Sequence, residues 1–254
     1  MLGLGLGMGV GNGSGLKFVG SGPISSAPVA SAANQNMWYM STDFGLCKYV
    51  SVFNNVGSDW INCGRPSWLD QLRPAVDAFT VCAVFMPTSL TSASRVYSLD
   101  GASGAQTQFS LIPISTGGLH SRLGGTSANP IHTGLTANTW YNHKLNAKIP
   151  VANSTSVLNG ANVAVLTPGN YVSTSNLFIG GRSEDPTTEN FEGMIAKFAV
   201  FNGSGVIIDV LDLNKWDGTG TVRFDSGHAC TVTDGTPFTA KSYSLIPWSI
   251  LKCP

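Results

Sequence analysis

Charge is the scarcest feature of this 254-residue chain. Fourteen basic and 14 acidic residues make up 11% of it, and the formal net charge is zero. Globular chains usually carry about 25% charged residues. The basic residues are scattered and form no Lys/Arg cluster, which excludes a phosphate-tracking nucleic-acid surface. No apolar run approaches the ~18 residues of a membrane-spanning helix. The five cysteines, Cys47, Cys63, Cys82, Cys230 and Cys253, contain no C-x-x-C spacing, and their odd number offers no tidy disulfide framework. Reduced, buried thiols and folding in a reducing cytosol are therefore expected. Ala30-Ser31-Ala32 imitates a signal-peptide cleavage site, but no basic segment precedes it, and the stretch before it is glycine-broken and interrupted by Lys17.

Catalytic patterns are missing as well. His120, His132, His143 and His228 show no metal-ligand spacing, and His143 in a β-run reads as a structural histidine. There is no G-x-S-x-G elbow; Gly203-Ser204-Gly205 reads as a loop after a strand. The repeated glycines at the start lack the preceding strand and the G-K-[ST] of a phosphate loop. No E-x-D-x-x-E strand supplies the paired carboxylates of a glycosidase. Glu184, Asp185 and Glu189 lie in RSEDPTTEN, read as a solvated loop with hard oxygen donors for calcium as the alternative. No catalytic, cofactor or metal residue is assigned, and the chain is expected not to be an enzyme.

What is present is β-structure in short runs between turn clusters. Three zones follow: a Gly-rich arm and linker over 1–36, a β-domain over 37–212, and a C-terminal extension over 213–254 that packs on the domain or on a neighbour. FTVCAVFMP, RVYSLDG, TQFSLIPI, TWYNHKLNAKI, STSVLNGANVAVL, NLFIGG and MIAKFAVFNG read as strands, with TVRF and SYSLI in the extension. Their spacing suits a sandwich or barrel. Asn159-Gly160 marks a hairpin, because both residues tolerate positive φ. From Met194 to Phe201 both faces of the alternation are largely apolar, so this strand is expected to be covered on both sides. Met194, Ala196, Phe198 and Val200 share one face, and Ile195, Lys197, Ala199 and Phe201 the other. Helix signals are two: a short helix in SWLDQLRPAVDAF, with Ser67 as N-cap and Pro74 as its stop, and a turn in VIIDVLDLNKW.

In order, these pieces resemble the laminin-G-like, concanavalin A-like lectin–glucanase family. The resemblance runs through Asp59-Trp60-Ile61, Phe79 to Val84 with Pro87, Tyr97 to Gly101, Trp140 to His143, Val157 to Gly160, Leu177 to Arg182, and Phe191 to Asn202. It departs where Ala196-Lys197 replaces an acidic pair and Val84 a tryptophan. It implies an all-β fold: a two-sheet antiparallel jelly-roll sandwich, here with an extended Gly-rich N-terminal arm. A sugar site needs polar groups near an aromatic. Asn129, Arg182 and Asp185 are the candidate glycan contacts, while Trp60, Trp140 and Tyr141 are expected to be buried.

The arm itself, MLGLGLGMGVGNGSG, places Leu2, Leu4, Leu6, Met8 and Val10 on one face of an extended strand and bare glycine on the other. Glycine's backbone entropy prevents such a strand from ordering alone, so docking against a partner is expected. Leu-Gly openings before a concanavalin-like sandwich resemble small virion proteins of tailed bacteriophages. That resemblance implies a head-decoration, tail or fibre component, localised to the virion after folding in the host cytoplasm. Its expected partners are other virion proteins, copies of itself (a trimer fits a fibre) and host-surface glycans, with no nucleic acid, membrane insertion or cofactor. The alternatives are a secreted laminin-G-like carbohydrate-binding protein, which paired cysteines would favour, and a concanavalin-like polysaccharide-degrading enzyme.

Overall fold

The computed structural model describes residues 59–90, 93–101, 106–125, 132–183, 189–213 and 221–233 in full. It also describes the backbones of five strands: β1 (Lys17–Gly22), β2 (Met37–Ser41), β3 (Phe44–Cys47), β4 (Ser51–Phe53) and β18 (Ser244–Pro247). β1 and β2 form a parallel pair, and β3 and β18 an antiparallel one. The arm residues Leu2, Leu4, Leu6, Met8 and Val10 lie outside the described residues.

Two seven-stranded sheets make the body of the molecule. The first runs β12 (Asn162–Val165), β11 (Thr155–Leu158), β10 (Tyr141–Ala147), β6 (Phe79–Pro87), β14 (Gly193–Asn202), β15 (Ile207–Asp212), with β4 also paired to β14. The second runs β16 (Val222–Arg223), β17 (Ala229–Thr233), β5 (Trp60–Asn62), β13 (Phe178–Ile179), β7 (Tyr97–Asp100), β8 (Thr107–Pro113), β9 (Leu119–Leu123). Every named pairing within these two sheets is antiparallel.

Their inner faces meet in one core. Phe79, Val81, Ala83 and Phe85 of β6 alternate toward Tyr97 and Leu99 of β7 and Phe109 and Leu111 of β8. Ring contacts bridge the layers, with Tyr97 to Phe198 at 5.4 Å and Phe79 to Phe109 at 6.3 Å between centroids. Such aromatic pairs add about 1 kcal/mol each beyond the area they bury. The hairpin at Asn159-Gly160 is as the sequence predicts: φ is +53° and +74°, and β11 returns as β12.

β14 is buried on both faces, as expected, but its alternation is broken. A bulge between Ile195 and Lys197 adds one residue against β6. Ile195 therefore joins Phe198 and Val200 in the core, while Ala199 and Phe201 pack with Cys82 on the outer face. Three other expectations need correction. SWLDQL forms only a single 3-10 turn at Leu69–Gln71, without a side-chain cap from Ser67. VIIDVLD is no turn but strand β15, since its β-branched residues pair along β14. Cys82 is disulfide-bonded, so the chain is not wholly reduced; Cys63 and Cys230 are free thiols.

Candidate functional site

The outer face of the second sheet carries a row of polar groups at every second residue. Register places Ser98 of β7 beside Ser110 of β8, and Ser110 beside Arg122 of β9. Asp100 and His120 share this face by the period of two. The backbone over 180–183 and 189–191 crosses it. Ser98 Oγ donates to the Gly181 carbonyl at 2.9 Å and accepts from the Ser183 N–H at 2.8 Å, while the Asp100 N–H donates to Ser183 Oγ at 2.6 Å. These bonds turn a solvent face into a half-buried one.

Arg95, just before β7, lies beneath that crossing and is 2% exposed. Its Nε is 2.7 Å from Glu189 Oε2, its Nη2 is 3.9 Å from Asp100 Oδ2, and its Nη1 donates to Ser110 Oγ at 3.3 Å. Arg182 reaches the other Glu189 oxygen at 3.4 Å. Burial, and then the charge of Arg95, pulls Arg122 below the usual guanidinium range; Asp100 and Glu189 oppose this and Arg182 adds to it. Burial likewise pulls His120 down, and so do Arg122 and Arg95. Three guanidinium groups thus gather around Asp100 and Glu189 in a partly dehydrated setting. Guanidinium groups carry forked N–H donors of the kind that bind oxyanions and paired hydroxyls.

Of the predicted glycan contacts, Arg182 belongs to this cluster. Asn129 and Asp185 lie outside the described residues, as does Glu184. Glu189 is not the solvated loop carboxylate expected, because it closes over buried Arg95. Sequence reading missed Arg95, Asp100, His120 and Arg122. Their only signal was the polar half of the alternation, which reads the same for any solvent-facing strand. Trp60, Trp140 and Tyr141 are buried, as expected.

A second polar group lies between the sheets. His143 Nε2 is 2.8 Å from both Ser121 Oγ and Ser156 Oγ, and His132 Nε2 is 2.8 Å from Ser156 Oγ. A serine bonded to an imidazole resembles a nucleophile with its base. Here Ser121, His143 and Ser156 are fully buried, and His143 Nδ1 has no hydrogen-bond partner to orient it. Burial pushes the His143 imidazole down to about 3, so it is neutral. The group is a structural network joining β9, β10 and β11.

Among the described residues, no group of three or more His, Cys, Asp or Glu is placed to hold a metal ion, and no helix is long and apolar enough to cross a membrane. A surface cleft of about 490 Å³ is lined by Asp70, Arg73, Asp77 and Asn202 among others. Its Arg73 and Asp77 pair at 2.9 Å and neutralise each other.

No family model matches the chain, and no curated protein matches it. Solved structures do. A Bacteroides ovatus protein provisionally described as carbohydrate-binding superposes with a TM-score of 0.56 at 14% identity, over 87% of this chain. The match spans about two thirds of that protein's length, 66%. The CBM40 module of a Ruminococcus gnavus IT-sialidase, bound to α2,3-sialyllactose, gives 0.48 at 18% identity, covering 62% of this chain and 92% of the module. Mouse laminin α1 domains LG4–5 give 0.45 at 11%, covering 81% and 47%. The chain is a two-sheet antiparallel jelly-roll β-sandwich.

Proposed function

We propose that the chain binds carbohydrate without transforming it, through the arginine-lined outer face of β7, β8 and β9, and that the preferred sugars are acidic. The observation that carries this is the gathering of three guanidinium groups on one half-buried face, Arg122 beside Arg95 and Arg182, around Asp100 and Glu189. A carboxylate or sulfate on a sugar offsets the repulsion among the three guanidinium groups, and guanidinium N–H forks suit its neighbouring hydroxyls. The fold shared with the Bacteroides ovatus protein supports the same reading. Glu189 and Asp100 both pair with Arg95, which supports binding over acid–base catalysis.

The disulfide at Cys82 favours a secreted, surface-exposed protein over one that stays in a reducing cytosol. Placement in a bacteriophage particle is the finer proposal. It rests on the Leu-Gly alternation of the arm and the low charge of the chain, not on the sandwich.

Calorimetric titration against acidic and matched neutral oligosaccharides tests the binding face. Acidic sugars are expected to bind at least tenfold tighter, with affinity falling as salt rises. Arg122→Gln is expected to remove that preference. Equal binding of neutral sugars, or an unaffected Arg122→Gln variant, refutes the assignment.

A further inference from the structure

Two free thiols face each other across the sheet. The register pairs Asn62 of β5 with Thr231 of β17, so the next pair along is Cys63 opposite Cys230. The Cys63 N–H donates at 2.8 Å to the Leu177 carbonyl, on the other side of β5. Cys63 and Cys230 therefore occupy a non-hydrogen-bonded position, where opposed Cα atoms approach to about 4.5 Å. That separation lies within the ~4.4–6.8 Å spanned by disulfides. Both side chains point into the core and touch, close enough to hydrogen-bond. Both are buried and unbonded, in a chain that already holds a disulfide at Cys82.

We propose that Cys63 and Cys230 form a latent cross-strand disulfide that closes by exchange with a small-molecule disulfide of the glutathione class and locks β17 onto β5. One thiol loses its proton and attacks a sulfur of the oxidant, forming a mixed disulfide and expelling one thiolate. The second thiol, also deprotonated, attacks the protein sulfur of that mixed disulfide and expels the other. Two protein thiols are oxidised to one disulfide, one oxidant disulfide is reduced to two thiols, and the two protons end on the leaving groups. Access comes through the sheet edge. Cys230 is shielded on that side by β16, which pairs with β17 through only two residues, Val222 and Arg223. So short a strand opens far below the cost of global unfolding.

The closed form ties the region after Leu213 covalently to the end of β5. The full-length protein, incubated with oxidised glutathione while folded, is then unfolded in an alkylating agent and mapped without reduction. Expected are the loss of two alkylated thiols relative to the untreated protein and a cross-linked peptide joining Cys63 to Cys230. The thermal midpoint is expected to rise on oxidation of the wild type and to stay fixed in the Cys63→Ala/Cys230→Ala variant, which keeps Cys82. In Cys63→Ala alone, Cys230 is expected to stop at the glutathione adduct. Full alkylation of both cysteines in the treated wild type overturns the proposal. So does a stable glutathione adduct on either one, because a thiol within disulfide range would have displaced it.

Discussion

The inter-sheet histidine makes the stability of this protein depend on pH in a calculable way. His143 is fully buried, and burial, with a smaller push from His132, drives its imidazole from the ordinary 6.5 down to about 3. In the unfolded chain the same imidazole titrates near 6.5. Below that pH the unfolded state takes up a proton that the native state refuses, so stability is full above about 6.5 and falls as pH drops toward 3. The loss from this one group is about 2 kcal/mol at pH 5 and approaches 5 kcal/mol near pH 3, at ~1.4 kcal/mol for each pH unit by which the two values differ. His132 is lowered too, first by burial, and acts in the same direction. Urea unfolding at intervals from pH 7.5 to 4.5, for the wild type and for His143→Gln, isolates the contribution. Gln does not titrate and keeps an amide capable of hydrogen-bonding. Carboxylates shared by both proteins cancel in the difference. Wild type is expected to lose about 2 kcal/mol more than the variant between pH 7.5 and 5. Parallel curves would mean that His143 titrates as it does in water and would refute the neutral inter-sheet network.

Other substitutions separate architecture from binding. Arg95→Met is expected to cost about 3 kcal/mol or more, read by denaturant unfolding, because it strips Glu189 of its 2.7 Å ion pair beneath the crossing segment. Arg182→Gln removes a more exposed pair and is expected to cost under about 1 kcal/mol. Asp209 is buried and accepts from Trp68 Nε1 at 2.8 Å, from Ser226 N at 3.0 Å and from Ser226 Oγ at 2.6 Å. Asp209→Ala strands those donors and is expected to cost about 3 kcal/mol in the same assay.

The strands themselves were legible because their signals are local. FTVCAVFMP, YSLD and TQFSLIP carry β-branched and aromatic runs bounded by turn residues, and they became β6, β7 and β8. Asn159-Gly160 turns where it should, since positive φ is a property of those two residues in any context. The candidate site was barely legible. Among the described residues, Arg182 was named in advance as a glycan contact and Glu189 only as a loop carboxylate. Arg95 and Arg122 look in sequence like any charge on a solvent-facing strand. VIIDVLD was read as a turn, and pairing along β14 made it a strand instead.

The sequence alone determined that strands such as β6, β8 and β14 form, that two apolar faces must meet, and where the Asn159-Gly160 hairpin turns. Those outcomes depend on periodicity and on backbone angles that each residue carries with it. Only the tertiary structure decided the bulge that turns Ile195 into the core, the segment that buries Arg95 beneath Glu189, and the register that sets Cys63 against Cys230. Those outcomes depend on contacts between segments far apart in the chain, and no local pattern encodes which strand edge will meet which.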